Sequence, residues 1–140
     1  PKTSRDGKKH EFVHTMDQMS DLCAAVGDNC GYLLDAWHWY TAHEDASHLQ
    51  RLSPEQVVDV HVNDAPEGAV DEQLDNRRCL PGETGVIDIA TFLGSLKQIG
   101  YDGPVMVEPF SQAVRDMSAD DACAATGASL RGVWTHAGLA

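Results

Sequence analysis

Basic residues are scarce in this sequence, and long apolar runs are absent from it. The 140 residues include 10 lysines and arginines against 22 aspartates and glutamates, a formal net charge of −12. A field of that sign repels phosphate backbones, so nucleic-acid binding is not expected. No segment reaches the roughly 18 consecutive apolar residues that a membrane helix needs, so no membrane association is expected. With 42% hydrophobic residues, the composition is that of a globular protein.

Paired cysteine motifs are also missing. The four cysteines, at positions 23, 30, 79 and 123, form no CxxC pair and no zinc-finger spacing. Scattered thiols are typical of cytosolic proteins rather than of a secreted disulfide framework. The basic amino terminus is not followed by the apolar segment of a signal peptide. The sequence therefore predicts a soluble, cytoplasmic protein.

Helix and strand patterns alternate along the chain. Capping signals predict helices that begin after Thr15, Asp88 and Ser118. A shorter helix is expected within residues 43–52. Apolar, β-branched runs predict three buried strands, at residues 31–35, 57–62 and 104–108. Such alternation is typical of an α/β fold with a parallel sheet.

Three strands are too few for a self-contained parallel sheet. Parallel strands are normally covered on both faces, and a closed (β/α)8 barrel takes about 250 residues. The chain also begins at Pro1, on a polar stretch through His10 that indicates a loop already in progress. We therefore expect residues 1–140 to be a partial barrel domain whose amino-terminal half is absent. Open strand edges favour pairing with another copy, so a homo-oligomer is expected as an alternative.

Each predicted strand ends in a side chain that can bind a metal ion or transfer a proton. Asp35 follows the first strand, His61 lies at the end of the second, and Glu108 closes the third. In parallel α/β folds, the carboxyl ends of the strands share one edge, where functional sites form. One imidazole with two carboxylates suits Mn²⁺, Mg²⁺, Co²⁺ or Zn²⁺. The alternative, in which each residue only forms a turn or a cap, stays open at this point.

Four segments in a fixed order give the chain a family resemblance. They are LLDAWHW (33–39), HVNDA (61–65), RRCLPGETGVID (77–88) and IGYDGPVMVEP (99–109). In this combination the sequence resembles the sugar isomerase/epimerase superfamily with a xylose isomerase-like TIM barrel, which includes D-tagatose 3-epimerase and hydroxypyruvate isomerase. The resemblance implies that the chain is the C-terminal part of the barrel, with strands six to eight and their helices.

The resemblance also implies roles for individual residues. Asp35, His61 and Glu108 would bind the divalent metal, and Glu108 would also be one of two acid/base carboxylates. His38 and Arg78 would contact substrate oxygens. Enzymes of this kind bind a keto sugar or sugar phosphate and transfer a proton through an enediolate. The implied activity is that of a metal-dependent isomerase or epimerase of carbohydrate metabolism.

One residue of the family pattern has no counterpart here. The first metal ligand of the family is a glutamate at the end of strand five, whereas Glu11 follows a loop. The resemblance therefore places the missing glutamate upstream of Pro1. The chain would supply three of four metal ligands and one of two proton-transferring carboxylates, so we expect it to be inactive by itself.

Other functions compete with this interpretation. A metal-dependent dehydratase acting on inosose or dehydroshikimate would use the same metal and carboxylates. A non-catalytic assembly fragment would use the chain only to complete a sheet. A nuclease of endonuclease IV type shares the run HVND (61–64), but it needs an Asp-Arg-His triplet where this chain has DNRR (75–78). The missing histidine and the acidic charge argue against that nuclease.

The remaining candidates have structural alternatives. Trp37 and the two aromatic residues after it form either an apolar wall for a sugar ring or ordinary packing. Asp64 orients His61 or a neighbouring loop, or it only forms a turn. The PGETG segment, residues 81–85, matches no phosphate-binding pattern, and its glutamate would repel phosphate. We expect this segment to position Arg78.

Overall fold

The computed structural model describes residues 12–139 as an α/β arrangement built on a parallel sheet. In this part of the chain the strands are β1 (Tyr32–Asp35), β2 (Val57–Val62) and β3 (Val105–Val107), in the spatial order β1-β2-β3. The helices are α1 (Met16–Val26), α2 (Ala36–Thr41), α3 (Ala46–Gln50), α4 (Ile89–Ile99), α5 (Gln112–Arg115) and α6 (Ala119–His136). The predicted irregular stretch Pro1–His10, and Glu11, lie outside the described residues.

The three helices predicted from capping signals form where those signals place them. In α1, the Thr15 hydroxyl accepts from the Gln18 amide at 3.2 Å, and the Gln18 side chain accepts from the Thr15 amide at 3.2 Å. In α4, the Asp88 carboxylate accepts from an amide of the first turn, and in α6 the Ser118 hydroxyl does the same. A side-chain acceptor satisfies an otherwise unpaired amide of a first turn, which is why these local signals are reliable.

Two helices do not follow from the sequence pattern. Helix α2 begins directly after β1, because the Asp35 carboxylate accepts from the His38 amide at 3.0 Å and so caps it. Its buried residues, Ala36, Trp37 and Thr41, lie on one side of a helix of only 6 residues, which is too short to be recognised from the apolar pattern and is held by tertiary packing. Helix α5 is a single short turn. The helix expected within residues 43–52 is present but shorter, as α3.

The two faces of the sheet have different surroundings. Leu34, Val60 and Val62 are buried on the face covered by helices, where α4 packs against α3 and α6. Residues in register across a parallel sheet share a face, so the pairs Leu33↔Asp59, Asp35↔His61 and His61↔Met106 define the other one. We call this second face the open face, comprising Leu33, Asp35, Asp59, His61 and Met106. Leu33 is 52% exposed and Met106 47% exposed.

The long loop predicted between β2 and α4 is held by one buried carboxylate. Asp64 is fully buried and accepts hydrogen bonds from the amides of Thr84, Gly85 and Ile87 at 3.1, 2.7 and 2.9 Å. Its backbone also pairs with Cys79 in an isolated antiparallel bridge. Of the predicted alternatives for Asp64, the structure therefore favours anchoring of the loop. The anchor fixes the backbone that directly follows Arg78, since Asp64 pairs with Cys79.

Among residues 12–139, none of the helices is both long and apolar enough to cross a lipid bilayer.

Candidate functional site

The carboxyl ends of the three strands bring Asp35, His61 and Glu108 together. Asp35 is in register with His61, and Glu108 directly follows β3, whose Val107 is in register with Val62. One ligand atom of each side chain lies within 4.8 Å of the others. The His61 Nδ1 atom is 3.7 Å from Asp35 Oδ2 and 3.4 Å from Glu108 Oε2. The three residues predicted to share one edge of the sheet are therefore neighbours in space.

An asparagine that was not predicted as a site residue fixes the position of Glu108. The Glu108 amide donates to Asn63 Oδ1 at 2.9 Å, and Asn63 is fully buried just after β2. This bond ties the ends of two adjacent strands across 45 positions of sequence. The only local signal for it is the place of Asn63, two residues after His61 at the end of a strand.

The three side chains differ in burial. The Asp35 side chain is 3% exposed, that of His61 16%, and that of Glu108 40%. Burial raises the pKa of Asp35, because removal from water disfavours the charged carboxylate, while the Arg78 guanidinium and the His38 amide act in the opposite direction. Glu108 is thus the carboxylate of this group that a small molecule can reach most easily.

Arg78 is the cation of the site, and its guanidinium is buried. Its Nη1 atom donates to Asp35 Oδ2 at 2.7 Å and to Glu108 Oε2 at 3.0 Å. Its Nε and Nη2 atoms donate to Asp75 Oδ1 at 3.1 and 2.6 Å. A buried charge needs such compensation, because an unpaired guanidinium of 3% exposure would be strongly unfavourable. The predicted site arginine therefore lies within the carboxylate cluster.

Aromatic rings and His38 complete the surroundings of Arg78. The guanidinium carbon lies 5.0 Å from the ring centroid of Trp37 and 5.1 Å from that of Phe110. The Arg78 Nη2 and His38 Nε2 atoms are 3.0 Å apart. Trp37 is only 3% exposed, so its observed role is to support the guanidinium by packing. A contact of Trp37, His38 or Arg78 with substrate stays a prediction.

Asp59, which was not predicted as a site residue, lies beside the His61 imidazole. Its Oδ2 atom is 3.6 Å from His61 Nε2, whereas His61 Nδ1 is directed toward Asp35 and Glu108. The spacing Asp59–His61 is the signal that was available, since residues two apart in a strand share a face. The imidazole therefore has a carboxylate on each side, an arrangement that orients histidines in metal sites.

The donor set fits a divalent metal ion. Carboxylate oxygens and an imidazole nitrogen are ligands that Mn²⁺, Mg²⁺, Co²⁺ and Zn²⁺ accept. The group also lines a cavity of about 500 Å³, which offers space for a small molecule beside the donors. Three protein donors around an accessible position are typical of catalytic rather than structural metal sites.

Comparison with protein families gives a match over most of the chain. The family described as xylose isomerase-like TIM barrel matches residues 5–131.

Curated relatives with this similarity include three kinds of enzyme. The chain is 32% identical over 111 residues to an inosose isomerase of Halalkalibacterium halodurans, covering 79% of this chain and 39% of that protein. It is 34% identical over 106 residues to a 3-dehydroshikimate dehydratase of Pseudomonas aeruginosa, covering 74% and 17%. It is 31% identical over 86 residues to a ketose 3-epimerase of Arthrobacter globiformis, covering 61% and 26%. The chain thus spans about two fifths of the inosose isomerase.

Solved structures give the same result for the fold. A xylose isomerase domain protein from Alicyclobacillus acidocaldarius aligns with a TM-score of 0.81 at 32% identity, covering 92% of this chain and 46% of that one. The IOLI protein, solved with a binding zinc atom, aligns with a TM-score of 0.80 at 26% identity, covering 86% and 44%. The prediction of an α/β, partial TIM barrel with parallel strands is therefore confirmed.

Proposed function

Because the chain belongs to the xylose isomerase-like TIM barrel family, we propose that it supplies the carboxyl-terminal part of a divalent-metal-dependent isomerase or epimerase. The substrate class is a keto sugar, its phosphate or a related polyhydroxylated ketone. The observation that carries the proposal is the convergence of Asp35, His61 and Glu108 at the ends of three adjacent parallel strands. Relatives named isomerase and epimerase support this reaction class.

In this proposal Asp35, His61 and Glu108 hold the ion. When bound, a divalent ion polarises a substrate carbonyl and so acidifies the carbon next to it. A relative solved with a zinc atom supports a divalent metal without identifying the one used here. His38 and Arg78 border the donors and supply hydrogen-bonding groups for substrate oxygens.

Glu108 is proposed as the residue that moves the proton. It is the most exposed of the three candidate ligands, so a substrate carbon in the cavity is within its reach. Removal of a proton beside a carbonyl and its return to the neighbouring carbon gives isomerisation. Epimerisation instead needs an acid on the opposite face of the same carbon, the role of the second carboxylate that the family resemblance implies. The Asn63 bond to the Glu108 backbone keeps the carboxylate at the strand end during this transfer.

A dehydratase is the second candidate, because the chain is 34% identical to a 3-dehydroshikimate dehydratase. Dehydration begins with the same proton abstraction beside a carbonyl and ends with loss of water. The residues described above serve either outcome. Product analysis separates the two, since a dehydration product has lost one water molecule and gained a double bond, whereas an isomer or epimer has the same mass as the substrate.

Metal binding is the first test. Titration calorimetry of the chain with Mn²⁺ or Zn²⁺ is expected to show one site, and Asp35→Asn or His61→Gln is expected to weaken it by more than tenfold. A matched control is Asp102→Asn, because Asp102 is an exposed aspartate outside the site. Equal affinity in the control and in both site variants would refute the metal centre.

Turnover is the second test. A polypeptide that carries this chain together with the rest of a barrel is expected to exchange the proton beside the carbonyl of a keto sugar or inosose for deuterium. The chain alone is expected to be inactive, because it spans only 39% of the inosose isomerase it resembles. Formation of an aromatic dihydroxybenzoate by loss of water from 3-dehydroshikimate would favour the dehydratase. Turnover of a keto sugar by the isolated chain would contradict the expected inactivity.

A further inference from the structure

We propose that Arg78 is an internal cation which a divalent metal must displace from Asp35 and Glu108, so that metal binding and release of the guanidinium are coupled. The inference rests on the metal site of the proposed function and adds that Arg78 competes with the metal ion for two of its ligands. It assigns Arg78 and Asp75 as positioning residues for that site.

Arg78 and His61 approach the same two carboxylate oxygen atoms. Arg78 Nη1 lies 2.7 Å from Asp35 Oδ2 and 3.0 Å from Glu108 Oε2. The same two oxygens are the ones near His61 Nδ1, at 3.7 and 3.4 Å. A metal ion about 2.0–2.2 Å from these three donors would therefore compete with Nη1 for the same lone pairs. It would also repel the guanidinium, because both are positive and little water separates them.

The charge balance of the site favours such an exchange. Asp35, Asp59, Asp75 and Glu108 supply up to four negative charges around the single guanidinium of Arg78. The Arg78 guanidinium offsets the repulsion between the two converging carboxylates of Asp35 and Glu108. A divalent ion would offset the same repulsion with two positive charges, whereas the guanidinium carries one.

Asp75 would still bind the guanidinium after Nη1 has been displaced from Asp35 and Glu108. It binds Nε and Nη2, and so holds the part of the guanidinium that does not touch Asp35 or Glu108. The rings of Trp37 and Phe110 flank it as well. Nη1 can therefore leave the two carboxylates by a small movement while Arg78 stays buried and paired.

The test measures affinity for the metal alone, Zn²⁺ or Mn²⁺, by titration calorimetry of the chain. Arg78→Met removes the charge and keeps a long side chain, and it is expected to bind the ion at least tenfold more tightly than the unmodified chain. Arg78→Lys keeps the charge and is expected to stay close to the unmodified chain. Weaker or equal binding by Arg78→Met would overturn the inference, because the guanidinium would then assemble the site without competing for it.

A second variant, Asp75→Asn, is expected to change metal affinity in the opposite direction. It therefore tests the inference even if Arg78→Met does not fold. Asp75→Asn removes the anchoring charge, so Arg78 is expected to bind Asp35 and Glu108 more strongly and to lower metal affinity at least threefold. An unchanged or higher affinity in Asp75→Asn would overturn the inference.

A third measurement follows the guanidinium itself. The side-chain ¹⁵N resonances of Arg78 are expected to shift on addition of Zn²⁺ to the unmodified chain, and not with Asp35→Asn. Absence of a shift while metal binds would overturn the displacement alone and leave the metal site intact. Absence of metal binding by the unmodified chain and by Arg78→Met would overturn both the inference and the proposed metal centre.

Discussion

Asp64 is a single buried side chain that positions the loop beside the site by binding backbone amides of that loop. Its carboxylate accepts from four backbone amides, those of Ala65, Thr84, Gly85 and Ile87. Each bond to a charged acceptor contributes more than a neutral one, and the group has no exposure to water that would replace them. The residue therefore decides where the loop between β2 and α4, including Arg78, is held.

Replacement of Asp64 by asparagine is expected to lower the free energy of unfolding by about 2–3 kcal/mol, because the amide NH₂ opposes amide donors and leaves them unpaired. Urea denaturation followed by circular dichroism measures the change. The exposed Asp102→Asn variant is the control, with an expected change within about 0.5 kcal/mol. A similar small change in Asp64→Asn would show that the loop does not depend on this carboxylate.

Cys79 is expected to be the least reactive thiol among the four cysteines. Burial raises the pKa of the Cys79 thiol to about 11, and the nearby carboxylates of Glu83 and Asp64 act in the same direction. Because the thiolate is the nucleophile, a raised pKa slows alkylation at pH 8. Iodoacetamide labelling with peptide mass spectrometry should modify the exposed Cys30 and Cys123 first. Modification of Cys79 at the same rate as those two would contradict the expectation.

Individual site residues were predictable to different extents. Asp35, His61 and Glu108 were found because each stands at the end of a strand, a position readable from local pattern. The contact of Arg78 with Asp35 spans 43 positions and depends on the loop held by Asp64, so no local pattern reveals it. Asp59 could have been found from its spacing to His61, whereas Asn63 carries no pattern of its own.

At the scale of elements, the helices that could be predicted are those that begin at a local side-chain cap. Helices α1, α4 and α6 begin at side-chain caps and were placed correctly. Helix α2 was missed because its cap, Asp35, is also the last residue of a strand, and its aromatic residues are held by tertiary packing. Tertiary context overrides propensity in such short helices.

Two glycines, one inside α4 and one at its carboxyl end, are expected to change stability in opposite directions when replaced by alanine. Gly94 lies inside the helix, and an added Cβ there meets no atom within 4 Å, so Gly94→Ala is expected to stabilise the chain by up to about 1 kcal/mol. Gly100 ends the helix with φ 82°, a left-handed conformation that alanine resists, so Gly100→Ala is expected to destabilise it by about 1 kcal/mol. Thermal unfolding of both variants checks the pair. The same sign for both would refute this account of the helix.

At the scale of the whole molecule, one face of the sheet is incompletely covered. Leu33 and Met106 lie on the open face beside the candidate metal ligands and are about half exposed. In a complete barrel, the interior is filled by side chains from all strands. The chain covers less than half of the barrel proteins that it matches in structure. Its open face is therefore where the rest of a barrel, or another copy of this chain, would pack.

The isolated chain is therefore expected to self-associate. Burial of Leu33 and Met106 against a second copy favours pairing, whereas the net charge of −12 opposes it. Added salt screens that repulsion, so the associated fraction is expected to rise with ionic strength. Light scattering after gel filtration, at about 1 to 100 µM protein, measures this equilibrium. The double variant Leu33→Lys, Met106→Lys should shift it to the monomer. A monomer at every concentration and salt level, with a cooperative thermal transition, would instead show that the open face is stable in water without a partner.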